Sequence, residues 1–215
     1  MARRSHRKKR VANAIHQLPW QDVVNPYAPL EILDAEQVET IIDAALTILK
    51  SQGMRFLEPG SRDTMREAGA DVDEAEMIVR FDPDLIKEKL AQAPAKFGLR
   101  ARNPAHNLTI GGNHILFASV GGPAFCSDLD KGRRPGTYAE MCDFLRIVQS
   151  LNILHQEGGG AFEAMDLPAE TRHLDLYLAQ IRLLDKNCQS YALGRDRTLD
   201  SIEMICIALE VDRDE

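Results

Sequence analysis

The run from Ile115 to Val120 is apolar and partly β-branched, and it ends on Gly121-Gly122-Pro123. That composition suits a strand buried on both faces, and no regular strand continues through such a tripeptide, so the chain must turn there. The position divides the sequence into two grammars. Before it, apolar spacing and turn residues describe helices and short antiparallel strands. After it, they describe strand, helix, strand, helix, strand, helix.

On the N-terminal side, Pro19, Pro26 and Pro29 surround Trp20 and Tyr27 and predict an extended arm packed by its aromatics. Asp34 caps a helix whose apolar face is Val38, Ile41, Ile42, Ala45 and Leu49, ending near Gly53. A shorter helical piece carries Met65 and Ala68 and stops at Gly69. Ile78 to Phe81 is a brief strand. Asp82-Pro83 opens a third helix with Leu85, Ile86, Leu90 and Ala93 on one face, stopped by Pro94. Phe97–Arg102, Leu108–Ile110 and His114–Val120 are three strand candidates, separated by Asn103-Pro104 and Gly111-Gly112-Asn113 as in a meander. A further strand candidate is Phe125–Leu129.

Beyond the turn, Thr137 to Glu140 forms a capping box ahead of Met141, Phe144, Leu145, Val148 and Leu151. Ile153–Glu157 is the next strand, ended by Gly158-Gly159-Gly160. A helix runs from about Pro168 to Asp185, Cys188–Leu193 is the third strand, and Leu199, Ile202, Cys206 and Leu209 mark the last helix. Repeated βα units favour a parallel sheet covered by helices. A (β/α)8 barrel takes roughly 250 residues, about 30 per unit, so the residues after Gly112 make about three units. The expected fold is therefore α/β: a helical region with a small antiparallel sheet, then the first units of an incomplete TIM barrel. The expected divisions are a basic tail and arm (1–30), the helical region (31–112) and the partial barrel (113–215), the whole being the N-terminal portion of a longer enzyme.

Charge bears on partners. Residues 3–10 hold six of the 26 basic residues, leaving 20 basic against 33 acidic residues in the remainder. Phosphate contacts need a basic face, so nucleic acid is not the expected partner. No apolar run approaches the roughly 18 residues of a membrane span, and no apolar segment follows the basic start as in a secretory signal. The cysteines, Cys126, Cys142, Cys188 and Cys206, are scattered and include no Cys-x-x-Cys pair, which suits reduced thiols in a cytoplasmic protein and no metal site. His155-Gln156-Glu157 lacks the cysteine partner of a zinc deaminase, and Gly158-Gly159-Gly160 lacks nucleotide-binding spacing.

An ensemble of short motifs resembles the trimethylamine methyltransferase (MttB-like) family. They are Arg3-Arg4, Tyr27-Ala28-Pro29-Leu30, Gly53, Ala68-Gly69-Ala70, Ala101-Arg102-Asn103-Pro104, Ile110-Gly111-Gly112, Gly121-Gly122-Pro123, Asp128 to Arg134, Thr171 to Asp175, and Asp185-Lys186. The resemblance implies a TIM-barrel methyltransferase that moves a methyl group from a methylated amine, of the trimethylamine or glycine betaine type, to the cobalt of a separate corrinoid protein. It implies no directly bound cofactor, the corrinoid being carried by the partner, and a homo-oligomer at full length. Trimethylamine-specific members carry pyrrolysine in the later half of the barrel, which these residues do not include.

Such a donor needs carboxylates and aromatic faces placed at the C-terminal strand ends. The candidates are Ser119, Gly121 and Gly122 after the first strand, Gln156 and Glu157 after the second, and Tyr191 near the end of the third, with catalytic residues unassigned. Glu157 would hold the cation, against the alternatives of a loop carboxylate or a structural ion pair; Tyr191 would be a cage wall or a core aromatic. His173 reads as a helix-surface or interface residue. A competing reading is a non-catalytic fragment that works through protein contacts.

Overall fold

The computed structural model describes residues 15–122, 124–189 and 193–213. In chain order the elements are β1 (Val23–Val24), α1 (Ala35–Ser51), β2 (Met54–Arg55), α2 (Pro59–Glu67), β3 (Asp71–Asp73), β4 (Ile78–Arg80), α3 (Pro83–Gln92) and β5 (Lys96–Leu99). There follow β6 (Leu108–Gly111), β7 (His114–Ile115), β8 (Cys126–Asp128), β9 (Gly132–Arg134), α4 (Tyr138–Ser150), α5 (Arg172–Leu183) and α6 (Arg195–Leu209). Pro26–Ala95 packs as one unit, and the described residues on either side of it pack as another.

The 26–95 unit is built by local rules. Asp34 accepts from the Gln37 amide and the Gln37 side chain accepts from the Asp34 amide, so α1 opens on a complete capping box. Glu58 and Asp82 cap α2 and α3, each of which has proline in its first turn. The antiparallel sheet has the order β2-β4-β3, with Val79 at its buried centre. Gly53 sits at φ +74° between α1 and β2, and an added Cβ would run into the Val79 carbonyl, so glycine is required there.

In the other unit, β5 and β6 pair antiparallel, as do β8 and β9. The expected meander stops at two strands. His114 and Ile115 instead pair antiparallel with β1 of the N-terminal arm, Val23 opposite Ile115. Trp20 of that arm packs its ring on His106 and edge-on to His155. The core lies where α4 meets α5: Met141 and Leu176 with Ala161, Phe162 and Ala164, and beside them Leu145, Val148, Ala179 and Leu184. The helix expected from Pro168 begins at Arg172, because Pro168 heads a turn whose carbonyl accepts from the Arg172 amide.

The three long strands expected after Gly112 are corrected most. Among the described residues Ile153–Glu157 forms no continuous ladder; Gln156 alone bridges Ala118 on one side and Asn187 on the other, both parallel. Side chains take the amides a ladder would use. The Phe117 amide donates to His155 Nδ1 at 2.9 Å, and the Gly158 amide donates to Ser119 Oγ at 3.0 Å. The stretch after Ile115 likewise carries only the isolated Ala118 bridge, and residues 190–192 of the third candidate lie outside the described residues. No closed barrel forms among the described residues.

Candidate functional site

The three bridged segments place most of the candidate residues in one neighbourhood. Ala118, Gln156 and Asn187 stand side by side in register, and in extended chain successive side chains take opposite faces. Gln156 and Glu157 therefore do not line one surface together. Gln156 is half-buried, whereas Glu157 is fully buried. Backbone holds the segments tightly at their ends: the Ser119 amide donates to the Gln156 carbonyl at 3.2 Å and the Gly122 amide to the Gly160 carbonyl at 2.7 Å. A Cβ on Gly121 would collide with the Gly158 carbonyl, and one on Gly158 with the Ser119 carbonyl. These glycines serve close backbone approach, and Gly121 and Gly122 are themselves exposed.

Glu157 is the chemically distinctive group. Its two carboxylate oxygens accept from the amides of Gly159 (2.8 Å) and Gly160 (2.7 Å), folding the glycine run back over the side chain. Both glycines take left-handed backbone, φ +94° and +93°. No basic side chain pairs with Glu157 among the described residues. Burial raises its pKa above the ordinary value, and the amides of Gly160, Gly159 and Gly158 oppose that rise without cancelling it. Burial also pushes the Cys188 thiol up to about 11, with the nearby Glu157 charge adding to it. Tyr191, proposed as a cage wall, lies outside the described residues.

Two polar clusters were not among the sequence candidates. Lys186 is buried, and its Nζ donates to the carbonyls of Val148 (2.7 Å), Leu151 (2.7 Å) and Leu154 (2.8 Å). It thus ties the C-terminal end of α4 to the start of the second extended segment; burial lowers its pKa, with Asp185 pulling the other way. Asp185 accepts from Gln149 (2.6 Å) and Asn103 (3.1 Å) and lies 3.0 Å from His106 Nδ1. Burial pushes its carboxyl up, but those hydrogen bonds outweigh it and hold it below the usual range. A lysine set between apolar helix and apolar strand, Leu184-Asp185-Lys186-Asn187-Cys188, is the signal that could have found this pair.

His155 is the second cluster. Its Nδ1 accepts from the Phe117 amide, so Nε2 carries the proton and donates to the Gln21 carbonyl at 2.9 Å. A cavity of about 500 Å³ lies beside it, lined by Gln17, Leu18 and Val23 of the arm with Phe117, Ile153 and His155. His173, expected at a helix surface or interface, is buried between α5 and α6 and bonded to Asp200. No group of three or more metal-type side chains gathers among the described residues. No helix among them is long and apolar enough to cross a membrane.

Residues 1–214 match the family described as Trimethylamine methyltransferase (MTTB). A glycine betaine methyltransferase of Desulfitobacterium hafniense is 32% identical over 176 residues, which cover 82% of this chain and 36% of that protein. Trimethylamine methyltransferases of Methanosarcina mazei and Methanosarcina thermophila are 28% and 27% identical over 78 residues, 36% of this chain and 16% of each of theirs. The chain thus spans about a third, or less, of the length of these relatives.

Proposed function

The chain belongs to the trimethylamine methyltransferase family, and from that membership we propose that it forms the first βα units of a TIM-barrel enzyme that demethylates a quaternary amine, of the glycine betaine type, onto a partner corrinoid protein. Two features support the barrel. The bridged segments neighbour one another in chain order, 118 beside 156 beside 187, and the bridges are parallel. Parallel neighbours that follow one another in chain order are the arrangement in which the strands of a barrel succeed one another.

The observation that carries the substrate class is Glu157. A buried carboxylate with no basic partner is the electrostatic complement of a cation that cannot donate a hydrogen bond. The glycine amides orient the carboxylate, and the half-buried Gln156 and the Ser119 hydroxyl flank its segment. When bound, the partner's reduced corrinoid would supply the nucleophile for the methyl group, and the donor would leave as a tertiary amine that keeps the C–N electron pair. The work of these residues is to exclude water and hold the donor in line. Tyr191 remains a proposed cage wall.

The test is a chimera of this chain with the remaining residues of the glycine betaine methyltransferase relative, supplied with reduced corrinoid protein. Methyl transfer from glycine betaine, followed by the cobalt absorbance change, is expected from the chimera, with no turnover by the 215-residue chain alone. Glu157→Gln in the chimera should lower kcat/KM by about tenfold or more. A folded chimera without transfer, beside an active parent relative, would overturn the assignment and favour the protein-contact reading.

A further inference from the structure

α1 carries more apolar surface than its own unit covers. Periodicity assigns Val38, Ile41, Ile42, Ala45 and Leu49 to a core face, yet of these only Leu49 is even half-buried. Leu46, at the edge of that face, is the buried residue of the helix. Val38 is 42% exposed, Ile41 58% and Ile48 52%. At about 100° of turn per residue, Val38, Ile41, Ala44, Ala45, Ile48 and Gln52 fall on one side of the helix axis. All six are exposed and none is charged. Glu36, Glu39, Asp43 and Lys50 fall on the opposite side.

This stripe reads the same from either end. Ala44 and Ala45 stand at its middle, with Ile41 and Ile48 one turn to either side. A two-fold axis through the middle therefore sets Ile41 of each copy against Ile48 of the other, and the alanines let the two backbones approach. Charge follows the same sense. The acidic residues Glu36, Glu39 and Asp43 lie in the first half of α1, while Lys50 lies in its last turn and Arg55 follows in β2. Antiparallel pairing brings acidic half beside basic end and aligns the helix dipoles favourably, whereas parallel pairing sets acid beside acid. Lys50 already meets Asp82, but both side chains are more than half exposed, so that pair is weak and free to rearrange. An anionic membrane is a poor occupant, because the polar side of α1 is mainly acidic.

We propose that the exposed face of α1 pairs antiparallel with the same face of a second copy of this chain, about a two-fold axis at Ala44-Ala45. A stable interface takes roughly 20–30 residues a side, and one helix face supplies only part of that. Leu30 and Ile32, 88% and 84% exposed just ahead of the helix, add apolar surface to the same unit. The expected dimer is therefore a weak one, with a dissociation constant of about 10–100 µM. The face shares no residue with the bridged segments, so it stands or falls apart from methyl transfer.

Sedimentation equilibrium of the 215-residue chain, across that concentration range, decides whether it dimerises. Ile41→Glu, at an exposed position, should weaken the dimer at least about tenfold with an unchanged circular dichroism spectrum. Oxidative cross-linking reads the direction of pairing, with the parent chain and its four native cysteines as the control. Ala45→Cys stands beside the axis and should form a covalent dimer. In an antiparallel pair the two copies of Val38→Cys are about 20 Å apart along the helices, too far for a disulfide, and should not. A chain that stays monomeric, or a dimer that Ile41→Glu leaves intact, overturns the proposal. Equal cross-linking through Val38→Cys and Ala45→Cys would mean parallel pairing and overturns it as well.

Discussion

Among the described residues, each of the two units buries one long cationic side chain, and they do it differently. In the 26–95 unit, Arg62 donates to Glu74, Phe56 and Leu57, partners 5 to 12 residues away. In the other unit, Lys186 donates to carbonyls 32 to 38 residues away, and no carboxylate pairs with it among the described residues. Arg62 stabilises a turn that its own neighbourhood already specifies. Lys186 joins segments that nothing local would bring together. The first unit is therefore a scaffold assembled from short-range rules, and the second depends on contacts distant in sequence, which is where the candidate site lies.

The largest effect that would sharpen this contrast is at the glycines. Gly158→Ala sets a methyl group against the Ser119 carbonyl, and backbone cannot yield as a side-chain end can, so we expect a loss of about 3 kcal/mol or more. In the 26–95 unit, a Cβ on Gly60 would meet only the Glu58 carboxylate at 3.2 Å, the movable end of a side chain. Gly60→Ala should cost under about 1 kcal/mol. Urea denaturation of both variants measures the difference, and equal losses would break the comparison.

A smaller effect distinguishes the buried cations. Lys186→Met removes a buried charge, a gain, but strands three carbonyl acceptors at the junction of α4 with the next segment; the second term wins, giving a net loss of about 2 kcal/mol. Arg62→Met leaves a half-exposed Glu74 and an exposed Leu57 that water can reach, and should cost about 1 kcal/mol. Thermal melts of the two variants test the order. Arg62→Met proving the more damaging would mean that the local unit depends on its buried cation more than its caps imply.

The same division explains what was legible in the residues alone. Caps, prolines in first turns and positive-φ glycines act within a few positions, so α1, α3 and α4 were readable from Asp34, Asp82-Pro83 and Thr137. The β8–β9 hairpin was half seen, since Phe125–Leu129 has strand composition but Gly132–Arg134 does not. Ile153–Glu157 has strand composition too, yet its ladder is broken by His155 and Ser119 side chains that take backbone amides from another segment. No periodicity encodes such a cross-contact. Glu157 was identified as a carboxylate at a segment end, but that Gly159 and Gly160 would clasp it depends on two left-handed residues in succession. Pairing of the arm with His114 and Ile115 was equally invisible, because two-residue strands carry no pattern.

The finest effect lies in a pH slope rather than in a midpoint. Glu157 has its folded pKa raised, first by burial, with the glycine amides only partly opposing it. In the interval between the ordinary glutamate value and that raised value, the folded chain keeps a proton that the unfolded chain has released. The folded state then binds more protons, so ΔG of unfolding falls as pH rises through the interval, and this contribution is complete only below it. Glu157→Gln cannot titrate and should remove that fall, whatever it does to absolute stability by replacing one carboxylate oxygen with an amide donor against a glycine N–H. Urea midpoints at several values from about pH 4 to 7 compare the two slopes. Identical slopes would mean that Glu157 sheds its proton as readily folded as unfolded; its burial would then impose no electrostatic demand, and a cation would gain nothing there.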